Sequence, residues 1–482
     1  MSASVKKNFA FSSILTTANL LFPMITYPYV TRVLGVSNIG ICNFVDSIIN
    51  YFVLFSMLGI STIGIREIAA SGVDRERRSK VYSSLLCLNG ITTIIALIVL
   101  VVCIFTIPRF MEYKEMLFIG AFKLFFNFLL IEWFYKGIED FKYITIRTLF
   151  IRVVYTVAVF VFIQHQDDYD VYYMLTTATI VVNAIINRVH ARKFVDFSFR
   201  GVSIKPYLHS FVILGLYLVV TSMYTTFNVA YLGMVSDTTE VGYYSTAHKL
   251  FTIILSIYTA FTGVMMPRMS SLLSEGKVEE FKNYIKKSTS FLLSFSIPII
   301  ILSIIYSRDI IRIIAGEGYE GAIVPMQITA PLLFVIGYEQ ILVVQILTPL
   351  KKDKFIFINS LFGAFTGIIC NVLLAKPLGA IGSSIVWCVS EIVVLFSAQY
   401  FVNKLLKVKF PFLDLLKNTM SYIPAMIVCV VILLYVSSIS LRILLGGLFM
   451  AVYFIFIQKW VIKDKAFVSL FEKIFEKVMK RV

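Results

Sequence analysis

The chain has 482 residues, of which 59% are hydrophobic and only 15% charged, with a mean hydropathy of +0.85 and a formal net charge of +16. Soluble globular domains carry about 45–50% apolar and about 25% charged residues, so this composition excludes a soluble enzyme, a disordered chain and a nucleic-acid-binding module. In so apolar a chain the excess of Lys and Arg reads as a determinant of membrane orientation.

A helix needs roughly 20 mostly apolar residues to cross the hydrocarbon core. By that rule the chain divides, from the N-terminus, into about 14 spans. They run over 8–34, 39–64, 81–105, 116–135, 147–164, 169–187, 207–233, 241–266, 288–306, 321–347, 355–374, 379–401, 419–437 and 441–458. Segments of this length exclude an outer-membrane barrel, whose strands are about 10 residues long. The first run follows Lys6 and Lys7 but is too long and too polar for a signal-peptide core, and it lacks a small-residue cleavage site. With the N-terminus in the cytoplasm, about 34 cations fall inside, about 5 outside and about 5 within spans, which is the positive-inside bias. The expectation is an all-α polytopic protein of a bacterial cytoplasmic membrane with both termini cytoplasmic. Its last part, 459–482, carries Phe467, Leu470, Phe471, Ile474, Phe475 and Val478 at helical spacing from Lys465 onward, as an amphipathic helix on the inner leaflet would.

Leu34-Gly35-Val36-Ser37-Asn38-Ile39-Gly40 joins the first two spans, and Leu232-Gly233-Met234-Val235-Ser236 with Val241-Gly242-Tyr243-Tyr244 joins spans seven and eight. These turns lie about 200 residues apart with six spans per period, a parallel repeat. Leu378-Gly379-Ala380-Ile381-Gly382 has the same shape between spans eleven and twelve. The repeat predicts an N-terminal six-helix lobe over 1–190, a C-terminal six-helix lobe over 207–401, and two additional helices over 419–458, with a cleft between the lobes.

A charge at the centre of a spanning helix costs about 2.5–3.5 kcal/mol on insertion scales, so embedded polar residues mark bundle interiors or watery cavities. The helices opening each half carry polar stripes that include Asn19, Asn43, Asp46 and Asn50 in the first half, and Thr225, Asn228, Ser245 and His248 in the second. Ser, Thr and Asn also serve as glue between packed membrane helices. The cations Arg32, Lys123 and Lys249 lie within or at the ends of spans, whereas Arg152 and Arg442 sit near enough to span ends to snorkel. The embedded acids Asp46, Glu132, Glu339 and Glu391 could each pair with a buried cation or carry a coupling proton or sodium ion.

Other patterns carry no chemistry. Gly316-Glu317-Gly318-Tyr319-Glu320-Gly321 spells a dinucleotide fingerprint, but it follows a membrane span rather than a strand. The six cysteines lack CxxC spacing and the four histidines are scattered, so no metal site and no cofactor is expected. There is no P-loop lysine and no nucleophile–base pair.

Several segments resemble the Wzx-type polysaccharide flippases of the multidrug/oligosaccharidyl-lipid/polysaccharide exporter (MOP) superfamily. They are Pro28-Tyr29-Val30-Thr31-Arg32-Val33-Leu34-Gly35, Gly64-Ile65-Arg66-Glu67-Ile68-Ala69, and the run from Glu132-Trp133-Phe134-Tyr135-Lys136-Gly137 to Tyr143. Val241 to Leu250 and Leu378 to Gly382 match in the second half. The resemblance implies two six-helix lobes with two further helices and alternating access. It also implies export of undecaprenyl-pyrophosphate-linked oligosaccharide for O-antigen, lipopolysaccharide or capsule, beside a polymerase and chain-length machinery. It implies a cationic cavity, carried onto Arg32 and Lys249, with Lys123 and Arg66 added. The alternatives are a MATE-like drug/cation antiporter and a peptidoglycan-precursor flippase. From another class, a membrane-embedded polysaccharide polymerase or ligase would need a large outer loop bearing catalytic groups, and the sequence has none.

Overall fold

A computed structural model describes residues 3–462, so the amphipathic segment expected from Lys465 lies outside the described residues. Every regular element among the described residues is helical. This is what a lipid solvent demands, because a backbone with no water to bond must satisfy its N–H and C=O groups within its own segment. The surfaces agree. On the helix Arg75–Thr106, Ile94, Ile98, Val102 and Phe105 are exposed at helical spacing, as are Phe365, Val372, Leu373 and Phe396 on Asp353–Leu406.

Among the described residues ten helices are long and apolar enough to cross a membrane, and two bent pairs, Glu320–Thr329 with Leu332–Leu347 and Phe412–Ser421 with Ile423–Tyr435, raise this to twelve. Two of the ten are unusually long. The helix Ala3–Met57 breaks at Gly35 (φ 75, ψ 168), and Asp353–Leu406 breaks at Gly379 (φ 55, ψ −129). Both sets of angles are open in practice only to glycine, so a single residue kinks the chain without a loop. Fourteen crossings require that each of these long helices cross twice. The third member of the repeat turns differently: Phe227–Val235 ends at Ser236, and Asp237 Oδ1 accepts from Thr239 N at 3.2 Å before the helix Thr238–Ser274 begins.

The chain forms two compact units, 1–242 and 243–482, each described by itself below. The repeat sets a boundary between 190 and 207, whereas packing sets it at 242, because the seventh span belongs by contact to the first unit. Gly215 meets Leu58, Gly59 meets Leu214, and Gly233 lies under the ring of Phe44. Small residues at such crossings let helix backbones approach closely. Arg109 fastens the end of that span: its guanidinium donates to the carbonyls of Gly233 (3.0 Å) and Ser236 (2.9 Å) and to Glu112 (2.7 Å). A cation there satisfies helix C-terminal carbonyls that have no intrahelical partner. Beside it, burial and the hydrogen bond with Glu112 push the Tyr113 phenol up to about 12.

In the second unit Gly337 packs on Leu292 and Gly446 on the Tyr306 ring. Arg442, near a span end, donates to Asp309 Oδ1 at 3.2 Å and to the Ser437 carbonyl at 3.2 Å, both in connections between helices or spans, and Asp309 is 3% exposed.

A methyl group at Gly233 would stand 2.0 Å from the Phe44 ring, whereas one at Gly263 would meet nothing within 4 Å. Gly233→Ala is therefore expected to cost about 1–3 kcal/mol by overpacking. Gly263→Ala should be close to neutral, and thermal melting of the detergent-purified protein checks both.

Candidate functional site

In the first unit, the helix Ala3–Met57 carries Asp46 and Asn50 one turn apart, and Lys114–Asn127 carries Lys123 against them. Lys123 Nζ donates to Asp46 Oδ1 at 2.6 Å and to Asn50 Oδ1 at 2.9 Å, while Asn50 Nδ2 donates to Asp46 Oδ2 at 2.9 Å. The triad closes on itself. Lys123 is largely covered (15% exposed), Asp46 is 36% exposed, and Asn50 is exposed. One side is thus sealed and the other accessible. The structure brings together three residues that the sequence marked separately, and the cation offered for substrate already holds a carboxylate. Charge-assisted hydrogen bonds contribute about 1.5–3 kcal/mol each, so an incoming anion must offer at least as much to displace Asp46.

The other marked residues of this unit are more dispersed. Arg32 is exposed on the segment before Gly35, Asn19 is exposed, Asn43 is half-buried and Asn228 is buried. Arg66, on the helix Ile60–Ala70, pairs with its neighbour Glu67 at 3.0 Å and is 60% exposed. Thr225 donates back to the Thr221 carbonyl at 3.0 Å, as Thr16 does to Ser12 at 2.9 Å. Such hydroxyls satisfy themselves along their own helix.

Glu132 has a partner at the first position of the next span, Arg147. Ile131, at φ 40, turns the chain so that Glu132 accepts from Arg147 at 2.9 Å, with Lys136 at 3.9 Å. The Arg147 side chain is 4% exposed and donates also to Asn187, whose Oδ1 accepts from Tyr143 at 3.1 Å and whose backbone carbonyl accepts from Tyr135 at 2.5 Å. His190 stacks on Tyr143 at 3.8 Å. The aromatic run from Trp133 to Tyr135 is the wall of this polar core. Its sequence signal is Asn187 within an apolar span.

In the second unit the helix Thr238–Ser274 presents Ser245, His248 and Lys249. The His248 ring lies 4.6 Å from Trp387, and Trp387 Nε1 donates to Glu391 Oε1 at 3.0 Å. Glu391 is only 4% exposed. Glu339 is half-buried on the helix Leu332–Gln340. Beyond it, Gln340 links Thr259 and Thr262 at 3.0 Å each. Ser245 Oγ is buried without a partner among the described residues, and Lys249 is half-buried. The tertiary structure thus joins His248 to Glu391 through Trp387, a residue that sequence reasoning passed over because tryptophan in an apolar span reads as packing. Among the described residues no three His, Cys, Asp or Glu gather as a metal-binding group. Outside the spans, the Lys277 ammonium, 2.7 Å away, holds the Glu275 carboxyl below its ordinary range.

Helices with lipid-facing apolar surfaces and ion pairs folded inward define a multi-pass membrane protein. The comparisons agree on this class. A solved structure described as "Lipid II flippase MurJ, inward closed conformation" superposes with a TM-score of 0.75 at 16% identity, covering 94% of this chain and 100% of its own. An inward-facing multidrug resistance MATE family transporter of the MOP superfamily gives 0.61 at 12% identity, covering 81% and 96%. At such identities the likeness concerns the fold. The family model described as "Polysaccharide biosynthesis protein" matches residues 5–273, more than half of the sequence, and the chain belongs to that family. The MatE model matches 214–373. Relatives from Escherichia coli (strain K12), 24% identical over 84% of this chain and 98% of theirs, and from Shigella dysenteriae, 23% over 81% and 98%, both bear the name "Putative O-antigen transporter".

Glu132→Ala would leave the Arg147 charge buried without its carboxylate. Because Glu132 is 42% exposed, the expected loss is about 2 kcal/mol, below the 3–5 kcal/mol of a fully buried pair. Chemical or thermal unfolding of the purified variant measures it, and Lys136→Ala should change stability far less.

Proposed function

We propose that this chain moves undecaprenyl-pyrophosphate-linked oligosaccharide repeat units from the inner to the outer leaflet, by alternating access through a cationic cavity and with both termini cytoplasmic. The observation that carries this reading is the triad of Lys123, Asp46 and Asn50: a cation kept at membrane depth, masked by one carboxylate and open on one side. Such a group suits an anionic headgroup that arrives, exchanges with Asp46 and leaves again. A fixed cation in a wet groove offsets the cost of taking pyrophosphate out of bulk water. The relatives named as O-antigen transporters and the family's tie to polysaccharide biosynthesis support an oligosaccharide cargo.

The lipid end needs an apolar seat. In the second unit a cavity of about 610 Å³ runs beside Phe261, Phe291, Phe295, Met450 and Phe454, and a polyprenyl chain fits such a wall. Displacement of Asp46 by phosphate frees a carboxylate, which then favours a proton or sodium ion. In the second unit Glu391 and Glu339 are acids of the same kind, and Lys249 is a second cation for the headgroup. The cycle would deliver repeat units to the polymerase and chain-length machinery. The MatE match favours a second reading, a drug/cation antiporter, which would not need Lys123 as an anion partner.

In proteoliposomes loaded with labelled undecaprenyl-pyrophosphate oligosaccharide, Lys123→Ala and Lys249→Ala are each expected to slow flipping at least about tenfold, the equivalent of one lost charge-assisted bond. Lys376→Ala, an exposed site, should leave the rate unchanged. Full activity in both cavity variants, or export of cationic drugs but not of the glycolipid, would refute the flippase reading.

A further inference from the structure

The stretch Lys407-Val408-Lys409-Phe410-Pro411-Phe412-Leu413 alternates lysine with apolar residues between the helices Asp353–Leu406 and Phe412–Ser421. Beyond its part in the cation bias, the transport reading makes no use of it. The segment is not slack. Lys407 reverses the chain at φ 58, Gln399 Nε2 donates to the Val408 carbonyl at 2.7 Å, and Tyr338 OH donates to Gln399 Oε1 at 3.0 Å. The Phe410 ring stands edge-on to Tyr338 at 5.4 Å and to Phe334 at 6.2 Å. With Val408 and Phe410 anchored, Lys407 and Lys409 are left exposed on the other side.

There they border a cavity of about 850 Å³ whose remaining walls bring Lys282 and Lys286 from the helix Val278–Ile305, and Lys417 and Asn418 from Phe412–Ser421. Among the described residues Asp414 is the one acid on its lining. Lys282 pairs with Glu279 at 2.9 Å, but among the described residues Lys286, Lys407, Lys409 and Lys417 have no acid within 4 Å. Asn418 is 6% exposed; its Nδ2 donates to the Asp414 carbonyl at 2.8 Å, and its Oδ1 has no partner among the described residues. At the rim Phe412 and Leu413 are 61% and 78% exposed.

Four ammonium groups without an acid and a buried acceptor without a donor among the described residues, beside two exposed apolar side chains, together describe a ligand. It must be anionic, carry a hydroxyl and have a hydrocarbon part beside its charge. Basic pockets at the cytoplasmic edge of helix bundles suit anionic headgroups, and a buried unpaired amide oxygen costs about 1–3 kcal/mol until a donor reaches it. We propose that this cavity binds the headgroup of an anionic glycerophospholipid with a free headgroup hydroxyl. The lysines take the phosphodiester, Asn418 Oδ1 accepts from the hydroxyl, and the acyl chains lie on Phe412 and Leu413. A choline headgroup brings a cation and no donor, so it does not fit. The site ties the helix Val278–Ile305 to both helices that flank the lysine segment. On the orientation proposed above it faces the inner leaflet, although its lipid preference does not depend on which glycolipid the chain transports.

Native mass spectrometry of the full chain, released from detergent with added lipid, tests this. Phosphatidylglycerol should be retained at least about tenfold over phosphatidylcholine, and Lys407→Gln with Lys409→Gln should lower its affinity about thirtyfold, from roughly 1 kcal/mol for each lysine. Lys407→Arg with Lys409→Arg should keep binding, which separates loss of charge from loss of fold. Asn418→Leu should reduce phosphatidylglycerol to the level of phosphatidylmethanol, which lacks the hydroxyl, and leave phosphatidylmethanol unchanged. Equal retention of phosphatidylglycerol and phosphatidylcholine by the unaltered chain overturns the proposal, as does displacement of the lipid by micromolar glycerol phosphate.

Discussion

The whole molecule answers to one constraint: inside hydrocarbon a polar group has no water to turn to, so its partner must be supplied by the chain itself. The backbone meets this demand by staying helical, even through the single-residue kinks at Gly35 and Gly379. Where a helix does end in the first unit, Arg109 reaches its last carbonyls from another segment.

The same constraint governs the embedded charges. Lys123 is held by Asp46, Arg147 by Glu132, and Arg442 by Asp309, each within its own unit. These pairs differ in their surroundings. Arg147 is enclosed by Asn187 and aromatic rings and serves the fold, as Arg442 does with the buried Asp309. Lys123, 15% exposed against 4% for Arg147, is the less enclosed of the first unit's two paired cations, and Asn50 beside it is exposed. A pair that must break and reform during a cycle is better left at such a margin, because full burial would make its opening too costly.

Much of this was legible in the residues. The apolar spans, the turns at Gly35 and Gly379, the family motifs and the need of Asp46, Lys123 and Glu132 for partners all follow from periodicity and from the cost of charge in lipid. The pairings did not follow. Lys123 and Asp46 are 77 residues apart, and Arg442 and Asp309 are 133 apart. Periodicity says which face of a helix is polar but not which other face it meets. Arg147, at the first position of a span, is buried against Glu132, and Arg442, near a span end, is paired with Asp309. The seventh span was assigned by repeat counting, although its glycines fit residues of the first unit.

By itself, then, the sequence determined the solvent this chain lives in, its helical class, its family and the list of side chains that could not remain alone. Those properties depend on local composition and spacing, which each segment carries independently of the others. Tertiary structure decided which acid neutralises which base, that His248 reaches Glu391 through Trp387, and that the lysines around 407–417 frame a cavity. Such choices depend on contacts between segments far apart in the chain, and only packing brings those segments within the few ångströms over which a hydrogen bond acts.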